Sequence, residues 1–416
     1  MAVVRDIAPV LSFEEARHLV EDHASCVHPG GEERVQLLES TGRVLAEPVE
    51  ADRDFPPFRR AARDGYAVRA SDLLHLPATL QAIGEIKAGA TPEGLSVNSG
   101  QAVAIMTGAP APHGADAIIM VEYTSRHGDT VEITKAVAAG DNIVPVGSEA
   151  RHGDVMLSKG AQLDDASIAV AASVGKTHLH VYRKPQVTVL ATGDEIVDIQ
   201  VQPGPNQIRN SNSYSLAAQV REAGGEPVLL PIAPDDPASL RDLIVKGLQA
   251  DLLLLAGGVS AGKYDFVEQV LAELNAKFFF TGARIQPGRP VVFGRVPPAT
   301  SANDGCYFFG LPGNPVSTMV TFELFARPLL DALAGKSPHK LIFLHAKLKT
   351  DIKTKTGLKR FLPAIFSGEF EHAEVELVRW QGSGDIAATA RSNCYIVIPR
   401  DRDRISKGEW VPVLLR

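Results

Sequence analysis

At 416 residues the chain is longer than one hydrophobic core usually supports, so two to four domains are expected. Apolar residues at 45% and charged residues at 22% exclude a disordered or fibrous protein, and a net charge of -7 excludes a broad basic face for nucleic acid or acidic lipid. Three scattered cysteines, Cys26, Cys306 and Cys394, exclude a disulfide framework or a zinc cluster; no stretch approaches the roughly 18 apolar residues of a membrane span, and a cytoplasmic protein is expected.

Ser12 followed by Glu15 has capping-box spacing ahead of Leu19 and Val20 and predicts a helix from Phe13 to His23. From Gly42 to about Lys184, brief runs such as AVAIM, AIIMVEY and TVEIT are separated by Gly, Pro, Asp and His, which predicts mainly β structure. From Pro185 the pattern becomes strand then helix. VTVLATGDE leads to a helix opening at Ser211 or Asn212 and stopped by Gly224 and Gly225, then come the strand VLLPI and a helix started by Asp235, Asp236 and Pro237. DLLLLA, a helix after Tyr264, strands near PVVFG and YFFG, and a long helix after Asn314 complete a βαβ series, which predicts a doubly wound, mostly parallel α/β domain over residues 184–334. Gly335 to Pro338 form a linker, and the alternating runs CYIVIP and WVPVLL predict a small C-terminal β domain over 335–416.

In an open parallel sheet, ligands bind outside the carboxyl ends of the strands. The residues that follow the apolar runs there are TGDE (192–195), APDD (233–236), GGVSAGKYD (257–265) and LPGNP (311–315). Taken singly, each is an ordinary cap or turn. Four such loops on one edge point to a phosphate group held by backbone N–H groups, with Glu195, Asp235 and Asp265 supplying oxygen ligands to a hard cation such as magnesium. Gly257, Gly262 and Lys263 satisfy GxxxxGK, but Tyr264 stands where a P-loop needs a small hydroxyl, and GxGxxG is absent. In FPPFRRAARDGYAVRA (55–70) Asp64 and Gly65 predict a tight turn projecting the carboxylate, and Thr107 and Gly108 in MTGAPAPHGADAIIMVE (106–122) predict a strand end. His178 and His180 could share one strand face, without a suitably spaced third ligand.

The motifs PPFxRxxxDGYAVR, TGAPAPxGADAIIMVE, TGDE, SNSY, GGVSxGxYD, PGRP, LPGNPVS and GSGDIAA occur in an order that resembles the MoeA family, the molybdopterin molybdenumtransferases, over nearly the whole chain. That resemblance implies a MogA-like α/β domain over 184–334, a C-terminal β domain over 335–416, a β-rich module over 55–145, and a connecting N-terminal domain made of 1–54 with 146–183. It implies a homodimer whose site combines the α/β domain of one subunit with the β-rich module of the other. The implied chemistry is delivery of molybdate to adenylyl-molybdopterin with release of AMP. Asp64, Thr107, Glu195, Asp235 and Asp265 are the implied catalytic residues, with Mg2+ or another divalent cation on Asp64, Glu195, Asp235 and Asp265. Gly257, Gly258, Ser260, Pro312, Gly313, Asn314 and Pro315 would bind the substrate, and Arg289, Ser317 and Ser383 the molybdate. A MogA-type adenylyltransferase and molybdoenzyme chaperones are the implied protein partners. A MogA-like adenylyltransferase activity on free molybdopterin and a gephyrin-like scaffold are the competing expectations. The sequence departs from the family at Ala61, Arg63, Val144, Glu149 and Gln286, which redistributes positive charge toward Arg63, Arg284 and Arg289 and bears on the choice between molybdate and tungstate.

Overall fold

The computed structural model describes residues 8–92, 94–258, 266–298, 305–336, 341–368 and 371–416. Helix α1 (Phe13–Ser25) opens with the full capping box: the Ser12 hydroxyl accepts the Glu15 N–H, and the Glu15 carboxylate accepts the Ser12 N–H at 2.8 Å. The helix continues past His23, where the sequence ended it. Contacts divide the chain into two compact units, a smaller one over 47–159 and 164–178 and a larger one over the rest.

In the smaller unit β1 (Gly65–Val68), β2 (Ala78–Ile86), β3 (Gln101–Ile105), β4 (Ala117–Met120), β5 (Thr124–His127) and β6 (Thr130–Ile133) form one sheet in the order β4-β1-β3-β2-β6-β5. Both faces are covered. Along β1, Ala67 enters one apolar cluster while Tyr66 and Val68 enter the other, because successive Cβ atoms leave a strand on opposite sides. One helix, α2 (Asp165–Ser173), interrupts the expected β region. Its Ile-Ala-Val run has strand-like composition, but Asp164 accepts the Ser167 N–H as an N-cap at 2.8 Å and the alanines favour the helix.

The larger unit holds β7 (Gln186–Ala191), β8 (Glu226–Leu229), β9 (Leu252–Ala256), β10 (Lys277–Phe280), β11 (Val292–Val296) and β12 (Cys306–Leu311) in the order β8-β7-β9-β12-β11-β10. Strands β7, β8, β9 and β12 are parallel, whereas β11, the PVVFG strand, runs antiparallel to both its neighbours. Helices α3 (Ser211–Glu222), α4 (Pro237–Gly247), α5 (Phe266–Glu273), α6 (Pro315–Thr321) and α7 (Arg327–Leu333) cover it. Leu252, Leu254 and Ala256 of β9 pack with residues of α1, α3, α6 and α7, while Leu253 and Leu255 pack with those of α4 and α5. A strand buried on both faces has no polar side to show, hence its unbroken apolar run.

Between α6 and α7 the helix widens into a π turn over Phe322–Ala326. Pro328 has no N–H to give the Leu324 carbonyl, and the buried Arg17 guanidinium of α1 donates to that oxygen at 2.7 Å instead. Leaving such a carbonyl unpaired costs about 1–3 kcal/mol, so α1 is tied to the helix that follows the LPGNP loop.

At the C-terminus β13 (Phe343–Leu348), β14 (Lys359–Ser367), β15 (Glu374–Leu377), β16 (Cys394–Ile398) and β17 (Trp410–Leu415) run in the order β14-β15-β13-β17-β16, and β16 pairs back onto β14 to close a barrel. Its interior contains Ala346, Leu362, Val375, Ile396 and Val413, and closure removes the exposed edges an open sheet would carry. No helix among the described residues is long and apolar enough to cross a membrane.

Candidate active site

Strand β8 lies on one side of β7 and β9 on the other, so the chain order reverses between β7 and β9, and their carboxyl ends flank the crevice where an open α/β sheet takes a ligand. Backbone hydrogen bonds lace the four loops together there. Thr192 donates to the Ala256 carbonyl at 3.2 Å, Gly193 to Ala233 at 3.3 Å and Gly257 to Leu311 at 3.1 Å. Gly257 has φ +97, and a Cβ on it would come within 2.8 Å of the Thr192 carbonyl oxygen. Gly258, with φ +65, would meet the Thr192 hydroxyl at the same distance of 2.8 Å. The loop after β9 therefore needs glycines for both backbone conformation and close approach.

Three carboxylates belong to this edge. Asp194 accepts the Asp235 N–H at 3.1 Å, and the Glu195 carboxylate folds back over Gly193, where a Cβ would lie 2.5 Å from its Oε2. Partial burial, followed by the negative charges of Asp194 and Glu195, raises the Asp235 carboxyl above its ordinary value. All-oxygen ligands suit a hard dication, which would relieve that mutual repulsion. Even so, no group of three His, Cys, Asp or Glu side chains is gathered closely enough to hold a metal ion among the described residues. Ser260 and Asp265, expected at this edge, lie outside the described residues. Asp194 is a site residue the sequence patterns did not single out beside Glu195; its place in TGDE, directly after Gly193 in the loop that follows β7, was the available signal.

Pro312, Gly313, Asn314 and Pro315 lead from β12 into α6, with Asn314 at the N-cap and Pro315 in the first turn. Asn212, on α3, donates from Nδ2 to the Gly313 carbonyl at 2.8 Å, a residue and a contact that the sequence did not single out as functional. The three residues expected to bind molybdate lie in or near the start of α6. Ser317 is buried in α6, the neighbouring Val316 N–H donates to the Ser383 carbonyl at 3.0 Å, Gly288 packs so that a Cβ would lie 3.6 Å from the Ser317 carbonyl oxygen, and Arg289, next to Gly288, is exposed.

In the smaller unit, Asp64 and Thr107, 43 residues apart, meet directly. The Thr107 N–H and hydroxyl both donate to Asp64 Oδ1, at 2.6 and 2.7 Å, and these two bonds hold the carboxyl below its ordinary value. Thr107 sits on the turn after β3, where Gly108 takes φ +81. Gly65 does not serve the tight turn expected of it. It begins β1, and a Cβ there would stand 1.8 Å from the Ile119 carbonyl oxygen, so the glycine permits strand approach. His178 and His180 lie on the strand His178–Tyr182 and belong to no candidate metal group.

Family models match most of the chain: "MoeA N-terminal region (domain I and II)" over residues 11–175, "Probable molybdopterin binding domain" over 188–332 and "MoeA C-terminal region (domain IV)" over 345–415. A molybdopterin molybdenumtransferase of Haemophilus influenzae is 35% identical over 411 residues, covering 97% of this chain and 98% of its own length. One of Nostoc sp. is 34% identical over 395 residues, covering 92% and 88%. The crystal structure of the molybdopterin biosynthesis moeA protein of Pyrococcus horikoshii superimposes with a TM-score of 0.77 at 30% identity, over 98% of this chain and 100% of that one. With matched segments spanning residues 11 to 415 and relatives aligned along nearly their whole length, the chain belongs to the MoeA family.

Proposed function

We propose that the protein is a transferase of molybdenum cofactor biosynthesis that takes adenylyl-molybdopterin and molybdate, inserts the metal into the pterin dithiolene and releases AMP. The observation that carries this reading is the edge at the β7/β9 switch point, where glycine-rich loops pack closely on one another beside carboxylates whose mutual repulsion a cation would relieve. It is joined by the molybdopterin molybdenumtransferase names of relatives that align along nearly the whole chain.

The loops at Gly257, Gly258 and Pro312 to Pro315 would cradle the pyrophosphate and pterin phosphate, fixing the bond to be broken. An oxygen of water or molybdate attacks phosphorus, the pyrophosphate P–O bond breaks, and AMP leaves with the bond's electron pair. Magnesium, held by Asp235 and Glu195 with Asp64 and Asp265, would offset the charge gathering on the phosphate oxygens. Arg289, with the hydroxyls of Ser317 and Ser383, would hold the molybdate dianion at the start of α6. Asp64, kept anionic by Thr107, has its second oxygen without a hydrogen-bond partner among the described residues. In a homodimer, the Asp64 corner of one subunit would serve the strand-end site of the other.

Purified protein given adenylyl-molybdopterin, magnesium and molybdate is expected to release AMP and yield cofactor that reconstitutes a cofactor-free molybdoenzyme. Absence of AMP release would overturn the proposal. Consumption of ATP with free molybdopterin would replace it with an adenylyltransferase.

A further inference from the structure

Asn212 combines three features. The residue is 6% exposed, its Nδ2 donates to the Gly313 carbonyl at 2.8 Å, and its Oδ1 is buried with no hydrogen-bond partner among the described residues. A buried amide oxygen without a donor is costly, and a core position free to vary would be filled by an apolar side chain of similar size. The amide is therefore kept for its other end, the bond to Gly313.

That bond has a particular address. Gly313 lies in the turn between β12 and α6, against Gly257, whose Cα would be 3.7 Å from a Cβ on Gly313. Asn212 reaches this turn from the first turn of α3, where Asn210 caps the helix through the Ser213 N–H. Two helical turns further on, Gln219 makes a superficially similar contact, donating to the Met319 carbonyl and to Glu323, and its Oε1 is also buried without a partner among the described residues. The two amides form one polar seam between α3 and the helix after LPGNP, but only Asn212 ends on the loop at the strand edge.

We infer that Asn212 is a positioning residue for substrate binding, holding the Gly313 carbonyl so that the Pro312–Pro315 turn keeps its place beside Gly257. This rests on the proposed function, because its readout is the substrate of that reaction. Gln219 acts on helix packing alone.

The test compares Asn212→Ala, Asn212→Asp and Gln219→Ala in AMP release from adenylyl-molybdopterin with magnesium and molybdate. Asn212→Ala is expected to raise KM about tenfold, with kcat changed by no more than about twofold. Asn212→Asp supplies a chemical rescue. At pH 8 its carboxylate repels the Gly313 carbonyl, and at lower pH the protonated acid donates an O–H to it. Its KM, relative to wild type at each pH, should fall as pH is lowered, while that of Asn212→Ala should not. Gln219→Ala should lower the melting temperature and leave KM unchanged. Wild-type turnover with an unmoved KM in a folded Asn212→Ala, or a KM ratio for Asn212→Asp that does not change with pH, overturns this inference alone. The isosteric aspartate carries the test if the alanine variant does not fold. Wild-type protein that releases no AMP overturns the functional proposal beneath it.

Discussion

In the smaller unit Asp64 accepts two hydrogen bonds from Thr107, which lower its carboxyl pKa, whereas in the larger unit Asp235 meets burial and the charges of Asp194 and Glu195, which raise its own. Two hydrogen bonds favour the charge of the first carboxylate, and two neighbouring carboxylates with partial burial disfavour that of the second. Under the proposed function the two aspartates would therefore differ in what they ask of a ligand: Asp64 would offer a fixed anion, and Asp235 a charge that a cation relieves.

The largest effect expected from breaking this pair is on turnover. Asp64→Asn and Asp235→Asn should each lower kcat by about a hundredfold or more, since under the proposed function each removes a carboxylate that would hold the cation. If the two aspartates serve one site from different subunits, mixing the inactive variants under conditions that exchange subunits should restore about a quarter of wild-type activity. Half of the dimers are then mixed, and each has one intact site. Purified mixed dimers with no activity would mean that both aspartates act from the same subunit.

A smaller effect sharpens the Asp64 side. Thr107→Val keeps the backbone donor and deletes the hydroxyl, the larger of the two causes that lower the Asp64 carboxyl, so Asp64 should titrate at higher pH. The acid limb of the kcat/KM profile should move toward neutrality in this variant. An unmoved limb would show that Asp64 does not set it.

Much of this was legible in the sequence because it depends on local rules. The capping box at Ser12 and Glu15, the buried run of β9 and the loops that end β7, β8 and β12 each follow from a short pattern. What escaped depends on contacts across the fold. Gly65 looks like a turn residue until Ile119 of a neighbouring strand is set 1.8 Å from its missing Cβ. Arg17 looks like a surface residue until Pro328, far along the chain, releases the Leu324 carbonyl that it caps. Asn212 looks like helix-start chemistry, which its neighbour Asn210 in fact supplies. The helix α2 escaped for the opposite reason: its strand-like composition was overruled by a local cap at Asp164.

The smallest effects separate the two aspartates by sign. A carboxyl whose folded-state pKa is lowered adds stability that is present above its unfolded pKa and is lost as pH falls through the folded value; Asp64 is of this kind. A carboxyl whose folded-state pKa is raised subtracts stability while ionised, and the penalty disappears as pH falls through the raised value; Asp235 is of that kind. At pH 7.5 without divalent cation, Asp64→Asn should therefore lower the melting temperature and Asp235→Asn should raise it, each only slightly because both side chains are largely exposed to screening solvent. Adding magnesium should stabilise the wild type more than either variant, because each has lost one of the proposed ligands, and least of all Asp235→Asn, which has also lost the repulsion from Asp194 and Glu195 that the cation would relieve. Melting shifts of the same sign in both variants would dissolve the contrast between the two carboxylates. An equal response to magnesium in Asp235→Asn would remove Asp235 from the proposed metal set while leaving the fold and the family untouched.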